Sequence, residues 1–144
     1  MNSMLKISEA ASLALHAAAI LAAGNGNGRN STRSMAHRLG ASEHHLAKVL
    51  QRLGRAGLVR SVRGPQGGFV LASAPADISL LQIYEAVDGP LRPAPCLLPH
   101  QVCGGDDCVL GGLVQSLNDQ IEDYLERTTL ADLAHVFPER EEQT

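Results

Sequence analysis

Apolar positions along the chain fall into five helical stretches and one pair of strand-like runs. From Ser8 to about Ala23, Leu13, Ala17, Ile20 and Leu21 share one side of a helix that Ser8 can cap and the glycine run Gly24 to Gly28 ends. A short helix follows, capped by Ser31 or Thr32 and running through Leu39. Gly40 and Ala41 make a turn, and Ser42 caps a longer helix that reaches about Ala56 before Gly57 stops it. In that longer helix Leu46, Val49, Leu50 and Leu53 form one apolar stripe, with His44, Lys48, Gln51, Arg52 and Arg55 opposite.

The period then changes. Leu58 to Val62 and Phe69 to Leu71 are short β-branched and aromatic runs flanking Gly64, Pro65, Gly67 and Gly68, which predicts a tight hairpin. Carrying Arg63 at its tip, such a hairpin is a phosphate cradle, a substrate flap or a wing straddling nucleic acid. The helix-turn-helix just before it favours the wing. The glycine run 24–28 follows a helix rather than a strand and there is no Gly-Lys-Ser phosphate loop, so it reads as a turn, not a nucleotide site. A further helix ends near Val87. Beyond it Leu110, Leu113, Val114, Leu117, Ile121, Tyr124 and Leu125 repeat at helical spacing, a longer seam than one small domain needs for its own core.

Composition limits the size and setting of this fold. With 144 residues, 44% of them hydrophobic, the chain has material for one ordinary core. No apolar run reaches spanning length, and only Lys6 precedes the apolar part of the first helix, unlike a signal peptide; the expectation is a cytoplasmic protein with no membrane partner. The net charge of −3 hides a split. Residues 1–75 carry nine Lys and Arg against Glu9 and Glu43, a balance of +7, while residues 76–144 carry three Arg against thirteen acids, a balance of −10. Either the two solvated surfaces differ in sign by chance, or a cationic half meets a polyanion.

The second reading gives each residue a task. Lys48, Arg52 and Arg55 can neutralise phosphates; Glu43, His44, Ala47 and Gln51 lie near the start of the helix or on its exposed face, within reach of base edges; Ser42, Arg60 and Gln66 complete the expected DNA-binding set. Arg63 sits where a wing tip enters a narrow minor groove. The bland alternative is that His44 and His45 merely face solvent and Arg63 pairs with an acid. An enzyme is not expected: the chain has no Gly-x-Ser-x-Gly elbow, no His-Glu-x-x-His helix and no cofactor loop. A DNA-binding module that senses an organic ligand would need a pocket the sequence does not display.

The stretch 42–72, SEHHLAKVLQRLGRAGLVRSVRGPQGGFVLA, resembles the recognition helix and wing of the Rrf2 family of bacterial transcription regulators, in particular its IscR- and NsrR-like members. Residues 78–90, ISLLQIYEAVDGP, resemble the family's next helix, and residues 127–133, RTTLADL, its C-terminal end. With the alanine-rich first helix the resemblance covers nearly the whole chain, and the RGPQGGF wing is its most specific part. It implies a mainly α fold with a small β-wing: a winged helix-turn-helix plus a long C-terminal dimerisation helix. The expected division is 1–90 for the DNA-binding domain, 91–109 for a cysteine-rich sensor loop, and 110–144 for the dimerisation helix and tail. The long apolar seam packs either against the first helix of the same chain or, the favoured reading, against the same helix of a second copy; the latter gives a twofold homodimer on a pseudo-palindromic duplex operator, expected to act as a repressor.

Cys96, Cys103 and Cys108 are spaced Cys-x6-Cys-x4-Cys in a loop rich in Pro, Gly and Asp. Three soft thiolates from one loop suit an iron–sulfur cluster, which needs one more donor. The resemblance implies the same, since sensing members hold a two-iron or four-iron cluster with three cysteines of this region. Some members take the fourth ligand from an acid in the first helix; the matching position here is Ser12, with Glu9 almost a turn away and His100 and Asp107 as local donors. Cluster-free thiol and disulfide switching is the alternative, followed by zinc held with His100, inert buried thiols and, least, a small metal-binding redox protein.

Overall fold

The computed structural model describes residues 7–24, 29–65, 67–92, 96–104 and 107–138; Gln66 at the wing tip and positions 25–28 of the glycine run lie outside them. Helix α1, Glu9–Ala23, is capped by Ser8, whose hydroxyl accepts from the Ala11 amide. The sequence predicts one apolar side for it, but burial extends nearly all round: Ala11, Ala14 and every residue from Ala17 to Ala22 are buried. The cause is tertiary. Its neighbours include α2 (Thr32–Leu39), α3 (Glu43–Arg55), α4 (Leu80–Asp88) and a C-terminal 3-10 turn, Leu130–Leu133, and alanine side chains let these elements approach closely.

Helices α2 and α3 form the expected pair. Ser31 and Ser42 cap them through the amides of Ser34 and His45. Leu46, Val49, Leu50 and Leu53 of α3 are buried in the same core as Ile20, Met35, Ile78, Ile83 and Leu130. Strands β1 (Val59–Val62) and β2 (Gly68–Leu71) pair antiparallel, with Arg60 opposite Val70 and Val62 opposite Gly68. A third piece of extended chain, missed by the sequence reading, joins them: Asn30 bridges Phe69, donating to its carbonyl at 3.2 Å and accepting from its amide at 2.8 Å. The wing is thereby anchored to the segment that leads into α2.

Helix α4 begins with a complete capping box between Ser79 and Gln82. Its first turn is pinned to the chain that leaves α5 (Leu113–Arg127): the Leu80 amide donates to the Thr128 carbonyl at 2.9 Å, and the Leu130 amide to the Ile78 carbonyl at 3.0 Å. Along α5 the predicted seam divides. Leu125 is buried and Ile121 packs on the core, whereas Leu113, Leu117 and Tyr124 are exposed. Leu110, placed in the seam by periodicity, lies in a turn before the helix. Among the described residues, no helix is long and apolar enough to cross a membrane.

Candidate nucleic-acid interface and cysteine loop

The amphipathic division of α3 governs the interface. With Leu46, Val49, Leu50 and Leu53 committed to the core, Ser42, Glu43, His44, Lys48, Gln51, Arg52 and Arg55 are left exposed. Lys48, Arg55, Arg60 and Arg63 enter no ion pair between described residues; the salt bridge there, Arg127 with Asp123, lies on the acidic half. Thr32, Glu43, His44 and Ala47 line a shallow open hollow between the start of α2 and α3. The sequence suggests Thr32 only as an alternative cap for α2, not as an interface residue. Its position just after the Ser31 cap, facing a helix-turn-helix, is the signal that could have found it.

The wing depends on two glycines for close approach. A Cβ on Gly67 would stand 2.7 Å from the Val62 carbonyl oxygen and 2.8 Å from that of Gly64. One on Gly68 would stand 2.6 Å from the Asn30 carbonyl carbon, and the obstacle is backbone in every case. Without a Cβ, β2 can lie against Asn30 and the turn from Arg63 can close, with the Gly67 amide donating to the Gly64 carbonyl at 2.8 Å. Arg60 and Arg63 are exposed on this scaffold.

One of the α3 cations is engaged inside the protein. Arg52 donates from Nη1 to the Val87 carbonyl at 3.2 Å, across to the last turn of α4. Next to it, Ser8 donates from Oγ to Asp88 Oδ1 at 2.6 Å. One turn earlier Tyr84 titrates above the ordinary tyrosine range, first because it is partly buried and second because Asp88 is negative. On the other side of the helix-turn-helix, the Arg38 guanidinium lies over the Phe137 ring at 5.4 Å, and His16 meets that ring edge-on.

The cysteine loop is arranged differently. Cys96 and Cys103 are half-buried, Cys108 is exposed, and all three are free thiols. Cys96 Sγ accepts from the Leu98 amide at 3.5 Å, and the Gly111 amide closes a turn on the Cys108 carbonyl at 2.8 Å. No three His, Cys, Asp or Glu among the described residues are grouped to hold a metal ion. Glu9, His100 and Asp107 are exposed, and Ser12 sits half-buried on α1 with its carbonyl bonded to His16 Nδ1. Among the described residues, the three cysteines and the candidate fourth donors are therefore not grouped around one point in this arrangement.

Comparison with known proteins agrees with the geometry. The transcriptional regulator CymR of Bacillus subtilis is 35% identical over 114 residues, covering 79% of this chain and 78% of the relative. The solved structure of CymR, the global cysteine regulator of that organism, superposes with a TM-score of 0.74 at 34% identity, over 93% of this chain and 99% of that one. T. potens IscR superposes with a TM-score of 0.70 at 33% identity, over 98% and 94%. An oxidized form of Staphylococcus aureus CymR gives 0.73 at 28%, over 94% and 100%. Since residues 7–136 match the family described as an iron-dependent transcriptional regulator, this chain belongs to the Rrf2 family of transcriptional regulators.

Proposed function

We propose that this protein is a homodimeric, cytoplasmic repressor that binds a pseudo-palindromic duplex and is controlled through its three-cysteine loop. The observation that carries the reading is the cationic face of α3 and the wing, exposed over a fully committed apolar stripe, in a half of the chain with a balance of +7. Helix α3 enters the major groove with Ser42, Glu43, His44 and Gln51 near base edges. Lys48, Arg55 and Arg60 contact phosphates, and Arg63 follows the minor groove. Residues 1–90 form the DNA-binding unit, 91–109 the sensor, and 110–144 the dimerisation element. The exposed Leu113, Leu117 and Tyr124 supply the apolar contact between copies.

The chemistry at Cys96, Cys103 and Cys108 is sensing rather than turnover. Exposed or half-buried thiols in one loop are accessible to oxidants, and pairing two of them would change the path between α4 and α5. The description of the family as iron-dependent favours a second reading, in which the same thiolates hold an iron–sulfur cluster with one of Glu9, Ser12, His100 or Asp107. Because the described donors are not grouped, no step is assigned to the cluster.

The test is duplex titration of protein purified anaerobically, with iron and sulfide analysed on the same sample. Six or more phosphate contacts across a dimer predict a loss of roughly three orders of magnitude in affinity between 50 and 200 mM salt. Salt-insensitive binding sinks the interface. Stoichiometric iron and sulfide select the cluster; their absence, with affinity still responsive to oxidant, selects the thiol switch.

A further inference from the structure

The exposed cations of α3 are equivalent on a helical wheel but not in the structure. Arg52 reaches back to the Val87 carbonyl at 3.2 Å. Carbonyls in the last turn of a helix have no donor further along it, and they carry the negative end of the helix dipole. A guanidinium placed there satisfies both. The same helix end is held from a second side by Ser8, which donates to Asp88 while capping α1.

The two ends of α4 are fixed in unlike ways. Its start is locked by backbone hydrogen bonds to the segment after α5, through Leu80 with Thr128 and Ile78 with Leu130. Its finish is held to α3 and α1 through side chains, Arg52 and Ser8. The cysteine loop connects that finish to the start of α5, and its first residues are tied to α4 by the Leu91 amide, which donates to Glu85 Oε1 at 3.5 Å. The end of α4 that Arg52 holds is thus the one next in sequence to the cysteine loop, while the other end is tied by backbone hydrogen bonds to the segment after α5. Arg52 lies on the recognition helix itself, one turn from Lys48.

We infer that Arg52 is a positioning residue rather than a phosphate ligand: through the Val87 carbonyl it transmits the state of the cysteine loop to the recognition helix. This rests on the reading of the loop as the sensor. It predicts that Arg52 contributes to the difference in DNA affinity between loop states and not to the count of phosphates neutralised.

The experiment uses full-length wild type, R52Q, R52K and K48Q. Each is titrated with duplex DNA over a series of salt concentrations, before and after diamide, which takes two hydrogens from a pair of thiols to leave a disulfide. Circular dichroism confirms helical content. K48Q should flatten the plot of log affinity against log salt by about 0.9 per protomer, the signature of one lost phosphate contact. R52Q should leave that slope unchanged and bring the ratio of reduced to oxidised affinity towards one; R52K, which keeps a donor, should restore part of the ratio. A slope loss in R52Q matching K48Q makes Arg52 a phosphate ligand and overturns the inference. An unchanged slope with an unchanged ratio reduces the bond to a packing detail and overturns it too. Wild type that ignores diamide removes the thiol-switch reading of the loop, and the coupling with it, which is a different result from a wild type that responds and an R52Q that responds equally.

Discussion

The half of the chain that carries the interface and the half that carries the cysteines solve opposite problems. In α3 every large apolar side chain is buried and the cations are exposed, so a single chain completes the surface by itself. From the cysteine loop into α5 the relation is reversed: Leu97 and Val102 are each 73% exposed, Val109 is 89% exposed, and Tyr124 is 57% exposed. Large apolar side chains left open in this number are what the proposed contact between copies would cover. The proposed division of labour follows this contrast: the DNA-binding face stands over a packed core, and the proposed sensor lies in a segment whose described apolar side chains are largely open to solvent.

The largest expected contrast is between Leu53 and Leu117. Leu53 is fully buried, so Leu53→Ala should lower stability by about 2–5 kcal/mol, read from urea unfolding at every protein concentration. Leu117 is 38% exposed, so Leu117→Ala should remain within about 0.5 kcal/mol in dilute solution and instead weaken the concentration dependence of the midpoint. Equal losses at all concentrations would place Leu117 in the chain's own core and erase the contrast.

Glycines sharpen the comparison at smaller scale. Gly68→Ala drives a methyl into the Asn30 backbone and should cost about 1–3 kcal/mol, with DNA affinity falling as the wing loses its anchor. Gly104→Ala, in the cysteine loop, meets nothing within 4 Å and should change stability by less than about 0.5 kcal/mol. A tolerant Gly68 would mean that the wing moves independently of the helix-turn-helix. A further small effect is expected at the Arg127–Asp123 pair, which is mostly exposed and spaced four residues apart on α5. Arg127→Ala should cost no more than about 1 kcal/mol, and less in high salt. Thermal unfolding at two ionic strengths checks it.

Sequence alone determined whatever depends on neighbours a few residues apart. Ser8, Ser31 and Ser42 each accept from a backbone amide three residues on, as does Ser79, which the sequence reading did not name, and the Leu46–Leu53 stripe needs only a 3.6-residue period to choose its buried face. The glycines of the wing could be read as a turn for the same reason. Tertiary structure decided the rest, because it depends on distances between segments far apart in the chain. Burial of α1 on nearly all sides follows from the elements packed around it, and no single-helix pattern contains that number. The close approach that Gly68 permits was settled by Asn30, and the division of the α5 seam by how far that helix lies over the core. Arg52 and Val87 are 35 positions apart, so the periodicity that exposed Arg52 beside Lys48 and Arg55 could not reveal that its guanidinium bonds to the end of another helix. The three cysteines mark the opposite limit: sequence places them in one loop, and whether their sulfurs meet depends on a backbone path that local rules leave free.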